Sequence, residues 1–330
     1  MFLSLALCVI TLGQAQAESP PIAALVTLPA HLPQAITVAF SPNGKWLATS
    51  GANRFVSLRD PTTGEIRHVL SGHLGLVHQV AFSPDSTLLA SASGDGTVIL
   101  WSVESGEKVV ALQVWSGEQG VARTVDFSSD GHLLATGASD GTIKIWDIAE
   151  RKSKRILTRQ ALPVTSVTFS PDGTLLATAT GDWRRGDVPG DLRLWEVASG
   201  VELASLKEHE CEIKRIAFNR TGKRLISAGV DRTILIWNVA DRAVIGRLQI
   251  DAAPTSFTLL NDGDLLATGD SRGGVAAWDL ARSTLIRRYA GHQKAVLGIA
   301  VDPAGRLLAT ASHDGTVKLW PAPSAIDKSP

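Results

Sequence analysis

One repeated phrase constrains the fold of this chain more than any other feature. GDGTVILW at 94–101 returns as SDGTIKIW at 139–146 and as HDGTVKLW at 313–320. Arg59 takes the Trp position of a first copy, and the later copies end at Trp101, Trp146, Trp195, Trp237, Trp278 and Trp320. The intervals between these positions are 42, 45, 49, 42, 41 and 42 residues. Seven copies at a period near 42 indicate a repeat architecture.

Each copy contains the pattern of four short strands. The alternating run VHQVAF (77–82) predicts a first strand, and Ser-Pro-Asp-Gly at 170–173 supplies the residue types that a tight turn prefers. LLATAT (175–180), TVILW (97–101) and EIRHVL (65–70) exemplify the second, third and fourth strands. Four strands per copy, seven times, predict an all-β fold: a seven-bladed β-propeller of four-stranded antiparallel blades.

The sequence resembles the WD40-repeat family over residues 22–321. Two GH and two WD pairs carry the family signature literally, namely Gly72-His73, Gly291-His292, Trp146-Asp147 and Trp278-Asp279. After Trp320 the tail has no strand character, whereas AALVTLPAH (23–31) aligns with the fourth strands of other copies. We therefore expect the N-terminal strand to complete the last blade, with a propeller over 18–321 and a C-terminal tail over 322–330. Joining the two ends removes an open sheet edge.

The resemblance also implies a buried hydrogen-bonded chain in each complete blade, from a Trp indole through Ser or Thr and His to Asp. The complete sets are His73, Ser91, Asp95, Trp101; His209, Ser227, Asp231, Trp237; and His292, Thr310, Asp314, Trp320. A Ser-His-Asp trio can indicate a hydrolase, but a trio that recurs with a Trp at fixed spacing favours a structural role.

Four copies depart from this set. Arg59 replaces the Trp of the first copy, and Glu118, Gln160 and Ile250 replace the His of the third, fourth and sixth. We expect those blades to rely more on packing, and blade one or six to be the loosest.

Two insertions interrupt the repeat, and they are where we look for function. The segment 113–120 (QVWSGEQG) lengthens a connection between blades, and 181–191 (GDWRRGDVPGD) lengthens one within blade four. In the resembling family both connections emerge on one face. Aromatic and Arg side chains on such loops are typical of interaction sites. The predicted partner-binding patch comprises Trp115, Trp183, Arg184 and Arg185, joined from inner strands by Arg123, Lys214 and His78. The alternative, held equally open, is that both Trp side chains fold back into their own loops.

The first residues suggest a destination for the chain. An apolar run at 2–12 precedes Ala15-Gln16-Ala17, which fits a signal peptide over 1–17, although no Lys or Arg precedes the run. Export to the periplasm or the medium is therefore expected; a buried N-terminal strand or a misassigned start codon is the alternative. The run is too short to cross a bilayer. Removal of the leader would leave Cys211 as the sole cysteine, without a disulfide partner.

Composition and motifs favour binding over chemistry. The chain holds 32 basic and 32 acidic residues, so no overall basic excess points to nucleic acid or a membrane surface. Metal, haem and nucleotide motifs are missing from the sequence, so no cofactor is expected. The expected function is an exported, non-enzymatic scaffold, monomeric by itself, that binds a protein or peptide through its loop-decorated face. The alternatives are an exported hydrolase or lactonase with its site at the central channel, and a subunit of a larger assembly that docks at blade one.

Overall fold

The computed structural model describes residues 20–115, 120–182, 184–185, 188–260 and 263–323. These form 28 strands in seven four-stranded antiparallel sheets. Blades one to three comprise β2 (Ala35–Phe40), β3 (Leu47–Gly51), β4 (Val56–Arg59), β5 (Ile66–Leu70); β6 (Val77–Phe82), β7 (Leu88–Ser93), β8 (Thr97–Ser102), β9 (Lys108–Gln113); and β10 (Ala122–Phe127), β11 (Leu133–Ala138), β12 (Ile143–Asp147), β13 (Lys152–Ile156).

The remaining blades repeat this arrangement. Blades four to six comprise β14 (Val164–Phe169), β15 (Leu175–Thr180), β16 (Leu192–Glu196), β17 (Glu202–Leu206); β18 (Ile213–Phe218), β19 (Arg224–Gly229), β20 (Thr233–Asn238), β21 (Ala243–Gln249); and β22 (Pro254–Leu260), β23 (Leu265–Asp270), β24 (Val275–Asp279), β25 (Thr284–Tyr289). Blade seven comprises β26 (Val296–Val301), β27 (Leu307–Ser312), β28 (Thr316–Pro321) and, as its outer strand, β1 (Val26–Pro29). The prediction of a seven-bladed propeller is confirmed.

Strand β1 closes the ring, as the alignment of residues 23–31 predicted. It pairs antiparallel with β28, with Val26 opposite Leu319 and Leu28 opposite Val317. Leu28 also packs into the cluster that links blades seven and one, whose members include Ala35 and Leu319. The first and last strands of the chain therefore share one sheet and one core, which leaves no open edge between the ends of the ring.

The core lies between adjacent blades. Trp237 of blade five packs with Leu192 and Leu194 of blade four, and Trp101 of blade two packs with Leu58 of blade one. Second strands such as β19 have five consecutive buried residues because a neighbouring blade covers each face. Small buried residues such as Ser227 and Ala228 follow larger ones along these strands, which lets adjacent blades approach closely.

The strand order divides the loops between two faces. Because neighbouring strands are antiparallel, the connection from each outer strand to the next inner strand emerges on the same side as the connection between second and third strands. Segments 113–120 and 181–191 are one of each kind, so both lie on this side, which we call the insertion face. A hydrogen bond from the Gly181 N–H to the Pro163 carbonyl (3.0 Å) joins the two kinds of loop.

Candidate functional site

The three complete His-Ser/Thr-Asp-Trp sets are assembled inside the blades. In blade two, Trp101 donates its indole N–H to the Ser91 hydroxyl at 2.7 Å, and the same hydroxyl lies 2.7 Å from His73 Nε2. The other ring nitrogen of His73, Nδ1, lies 2.9 Å from the carboxylate oxygen Oδ2 of Asp95. The sets of blades five and seven match these distances within 0.2 Å, with members His209, Ser227, Asp231, Trp237, His292, Thr310, Asp314 and Trp320.

The carboxylates of these sets are held in the charged form. Burial acts to raise the pKa of Asp231, but hydrogen bonds from His209 and Thr233 outweigh it and lower the pKa to about 2. The same balance lowers the pKa of Asp314 to about 2. The Ser and Thr hydroxyls of the three sets are fully buried and are already bonded to both His and Trp. Such hydroxyls are not placed to attack a substrate, which supports a structural role.

Blades with missing members keep part of the set. Trp146, Trp195 and Trp278 each donate to a Thr hydroxyl at 2.9 Å without a His beside it. Gln160 donates instead to the Thr158 carbonyl at 2.8 Å, Ile250 is buried, and Glu118 lies outside the described residues. Which blade is loosest stays a prediction.

Blade one differs most, because a cation occupies the Trp position. His31 keeps its contacts with Thr49 (2.9 Å) and with Asn53 (2.8 Å), which stands where other blades have Asp. The buried Arg59 donates to the Gly64 carbonyl at 3.0 Å, and its Nε has no hydrogen-bond partner among the described residues. Burial lowers the pKa of Arg59.

Trp115 does not project from the insertion face. Its side chain packs against the hydrophobic cluster between blades two and three, and a Cβ added at Gly96 or Gly120 would collide with it. The indole nitrogen is buried, with no hydrogen-bond partner among the described residues. We therefore correct the predicted patch: Trp115 belongs to a local core, as the alternative held, because two glycines leave a slot for it. Trp183 lies outside the described residues.

Arg184 and Arg185 are exposed on the insertion face. The backbone N–H of Arg184 donates to the Asp182 carboxylate at 3.0 Å, and that of Arg185 to the Asp182 carbonyl at 2.9 Å, which fixes the start of the loop. Arg184 is close enough to Arg123 for its charge to lower the pKa of that residue, after burial as the main cause. Arg184 of the blade-four insertion is therefore within reach of the charge of a channel residue.

The inner-strand members of the predicted patch meet in the axial channel. His78, Arg123 and Lys214 line one polar cavity of about 120 Å³ to which every blade contributes. Burial, and then the charge of Arg123, lowers the pKa of His78 to about 4, so its imidazole is neutral at pH 7. Lys214 contacts the buried carboxylate of Glu212 at 2.7 Å.

Sequence reasoning missed two charged residues of this channel. Arg215 lines the same cavity, and Asp126 of blade three lies close enough for their charges to interact. Burial raises the pKa of Asp126 to about 6, against the lowering effect of hydrogen bonds and of Arg215. Both residues stand where other inner strands carry small or neutral polar residues, such as Ser166, Ala217 and Ser256, and this departure was the available signal.

Four exposed apolar residues on the insertion face were also missed. Leu32 (77% exposed), Phe55 (41%), Leu74 (79%) and Leu76 (41%) lie in loops of blades one and two. The repeat alignment contained the signal, since Leu74 stands where blade five has Glu210 and blade seven has Gln293. Exposed apolar side chains grouped in neighbouring loops are typical of interaction surfaces.

The described residues offer neither a metal-binding cluster nor a membrane-spanning helix. Within the described ranges, no three His, Cys, Asp or Glu side chains are grouped so that they could hold a metal ion. A helix of the length and hydrophobicity needed to cross a membrane is likewise not found in that part of the chain.

Comparisons with known proteins agree with the architecture. A family model described as the IFT122 first beta-propeller matches residues 34–320. The nuclear distribution protein PAC1 of Arthroderma benhamiae is 29% identical over 290 residues, which cover 78% of this chain and 61% of that protein. WD repeat-containing protein 55 of Homo sapiens is 31% identical over 48% of this chain and 41% of its own length. Pre-mRNA-processing factor 19 homolog 2 of Arabidopsis thaliana is 31% identical over a segment that covers 50% of this chain and 31% of that protein. This chain thus spans less than two thirds of each relative.

The expectation of an exported protein is wrong. Two of these relatives are named for nuclear distribution and pre-mRNA processing, which take place inside the cell. The prediction relied on the apolar run at 2–12, which lies outside the described residues and lacks the basic residues that normally precede such a run in a signal peptide.

Proposed function

Because the chain belongs to the WD-repeat β-propeller family, we propose that it is a scaffold that binds a protein partner through its insertion face. The observation that carries this proposal is the grouping of exposed Leu32, Phe55, Leu74 and Leu76 on the same face as the exposed Arg184 and Arg185. The names of the relatives, which include a processing factor and a distribution protein, support a role in assemblies.

The charge of the insertion face indicates the chemistry of the partner. Six exposed basic residues of its loops form no ion pair with any described residue: Arg54, Arg185, Lys207, Arg232, Arg272 and Lys294. Of the exposed acids there, Glu208 and Asp251 are paired with Arg247 (3.8 Å) and Arg288 (3.4 Å). Glu210 of this face is exposed without an ion pair, so among the described residues unpaired basic side chains outnumber unpaired acidic ones here, although the whole chain is neutral. Complementary charge gives specificity and speeds association.

We infer that the partner contributes a segment with acidic side chains and bulky apolar side chains. Its apolar groups would cover Leu74 and its neighbours on blades one and two, and its carboxylates would meet the arginines of the blade-four insertion. Apolar contacts at the centre of an interface supply most of the affinity, and charges at its rim contribute mainly to the association rate.

Capture of a partner by the full chain tests the proposal. We compare the wild type with an apolar variant, Leu32→Ser with Leu74→Ser, and a charge variant, Arg184→Gln with Arg185→Gln. Matched controls away from this face are Ile245→Ser, which is 53% exposed on an outer strand, and Lys223→Gln in a turn of the other face. Both test variants should lose the partner that the wild type and the controls retain, with unchanged thermal unfolding. Retention by both test variants, or loss by the controls instead, would contradict the proposal.

A further inference from the structure

The cavity in the axial channel has an unusual concentration of cationic side chains. Arg123, Lys214 and Arg215 line a space of about 120 Å³ together with His78 and the hydroxyl-bearing Thr165 and Thr255. They come from blades two to six, so they approach the cavity from several directions around the axis. This volume is well above what a single water molecule needs.

Several nitrogen donors in this cavity are without partners. Arg123 Nε is buried and has no hydrogen bond, and neither Arg215 nor His78 makes a side-chain hydrogen bond within the part of the chain that the structure describes. Lys214 alone has a close counter-charge, the Glu212 carboxylate at 2.7 Å. Buried donors are normally bonded, so the buried Arg123 Nε and the guanidinium of Arg215 in the same cavity favour an acceptor between them.

The hydrogen bonds that join adjacent blades do not explain why an arginine stands at position 215. At the equivalent position in blades two to four, Gln79, Thr124 and Ser166 use a side-chain oxygen to accept a backbone N–H from the next blade, at 3.3, 3.0 and 3.3 Å. An arginine side chain has only donors and cannot make this bond. Arg215 therefore gives up a contact between blades at the place where it brings a cation into the channel.

Nearby carboxylates neutralise the cluster only in part. Asp126 is close enough to Arg215 for their charges to interact, and although burial raises its pKa to about 6, its carboxylate is mostly ionised at pH 7 and also accepts the Phe169 N–H at 2.9 Å. Glu212 and Asp182 attract Arg123, yet neither comes within ion-pair distance of it. Burial without a full counter-charge lowers the pKa of both arginines.

We propose that this cavity binds a small oxyanion of the phosphate class, held between Arg123, Lys214 and Arg215. Guanidinium groups match phosphate oxygens in pairs, and an ammonium group adds a point charge. The cations come from blades three and five and line the same cavity, and hydroxyl groups of Thr165 and Thr255 from blades four and six line it as well. The ligand is either free phosphate or a phosphoryl group on a larger molecule that enters through the mouth. This site does not depend on the protein partner proposed above.

Calorimetric titration of the full chain in Tris chloride at constant ionic strength tests this site, with inorganic phosphate and O-phosphoserine as probes. At least one probe should bind saturably and raise the midpoint of thermal unfolding. Lys214→Gln and Arg123→Gln should each weaken that binding about tenfold or more, since each removes a charged donor. Lys294→Gln, an exposed cation of the same face, is the matched control and should bind as the wild type does.

Each outcome has a defined meaning. Binding of O-phosphoserine, with or without binding of phosphate, shows that the site accepts a phosphoryl group carried by a larger molecule, and binding of phosphate alone assigns the site to the free ion; both results support the proposal. Failure of both probes to bind at millimolar concentration overturns it. So does an equal loss of affinity in Lys294→Gln, because the binding would then reflect the general charge of the face. Arg215→Gln serves as a third variant if its unfolding midpoint shows that it folds.

Discussion

The indole nitrogen of Trp320 lies 2.9 Å from the hydroxyl oxygen of Thr310, and blade six repeats this distance between Trp278 and Thr268. The two blades differ in what else the hydroxyl contacts. Thr310 also lies 2.7 Å from His292 Nε2, whereas Ile250 takes the place of the His in blade six. The Trp–Thr hydrogen bond is therefore part of a network with His in blade seven, whereas in blade six it has no His beside it.

This difference predicts that replacing the Thr by Val lowers the free energy of unfolding by different amounts in the two blades. Thr310→Val leaves both an indole N–H and a buried imidazole nitrogen unpaired, whereas Thr268→Val leaves the indole alone. We expect Thr310→Val to lower the free energy of unfolding by about 1–2 kcal/mol more than Thr268→Val, the matched control. Urea unfolding followed by circular dichroism measures both. Equal costs would mean that the His adds nothing to blade seven.

Ring closure by strand β1 predicts that the same substitution has very different effects on stability at two neighbouring residues of the strand. Leu28 packs into the cluster between blades seven and one, while Thr27 on the other side of the strand is exposed. Leu28→Asp should lower the free energy of unfolding by several kcal/mol, because a charge would enter an apolar contact. Thr27→Asp should change it by less than about 1 kcal/mol. The urea midpoint separates the two, and a mild effect of Leu28→Asp would show that β1 contributes little to closure.

Trp115 predicts a stability effect in place of a binding effect. Because its side chain fills the slot left by Gly96 and Gly120, Trp115→Ala should lower the free energy of unfolding by about 2–4 kcal/mol. Leu74→Ala, at a position 79% exposed, is the control and should change it by less than about 0.5 kcal/mol. Chemical denaturation measures both. If Trp115→Ala were as stable as the wild type, the assignment of the Trp115 side chain to a local core would be wrong.

Two channel residues predict opposing effects of acid. The pKa of His78 falls from 6.5 to about 4 on folding, through burial and the charge of Arg123. Between these values the unfolded chain binds the proton, so stability falls as the pH drops from 6.5 towards 4. The pKa of Asp126, which faces Arg215, rises from 3.8 to about 6 through burial. There the folded chain binds the proton, so stability rises as the pH drops from 6 towards 3.8. Over its full pH range, each effect is about 3 kcal/mol.

Variants separate these two contributions. The change in urea midpoint between about pH 7.5 and pH 4.5 should be more favourable to the fold in His78→Gln than in the wild type, since the destabilising proton uptake is gone. The change should be less favourable in Asp126→Asn, which loses the stabilising uptake. All other acids titrate alike in the three proteins, so the differences isolate the two residues. Identical pH profiles would contradict both assignments.

The repeated residues made the ring predictable, because turn-forming Asp-Gly pairs and alternating apolar runs act locally. Even closure by β1 followed from aligning residues 23–31 with other outer strands. The position of Trp115 did not follow, since Gly96 is the ordinary turn glycine of its repeat and the slot it leaves is formed between blades. Nor did the cavity, because Asp126 and Arg215 lie on separate strands that meet only around the axis. Features that depend on residues adjacent in the sequence could be predicted, and features that depend on contacts between blades could not.

The pairing of β1 with β28 has a consequence for how the protein is made. Almost the entire chain must leave the ribosome before Val26 can meet Leu319. Until then, β1 has no β28 to pair with, and the seventh blade is incomplete. Translation that stops between residues 290 and 315 would therefore yield six complete blades beside an incomplete one, with exposed sheet edges that chaperones or neighbouring copies could bind. The emergence of β28 is thus the event that allows the ring to close.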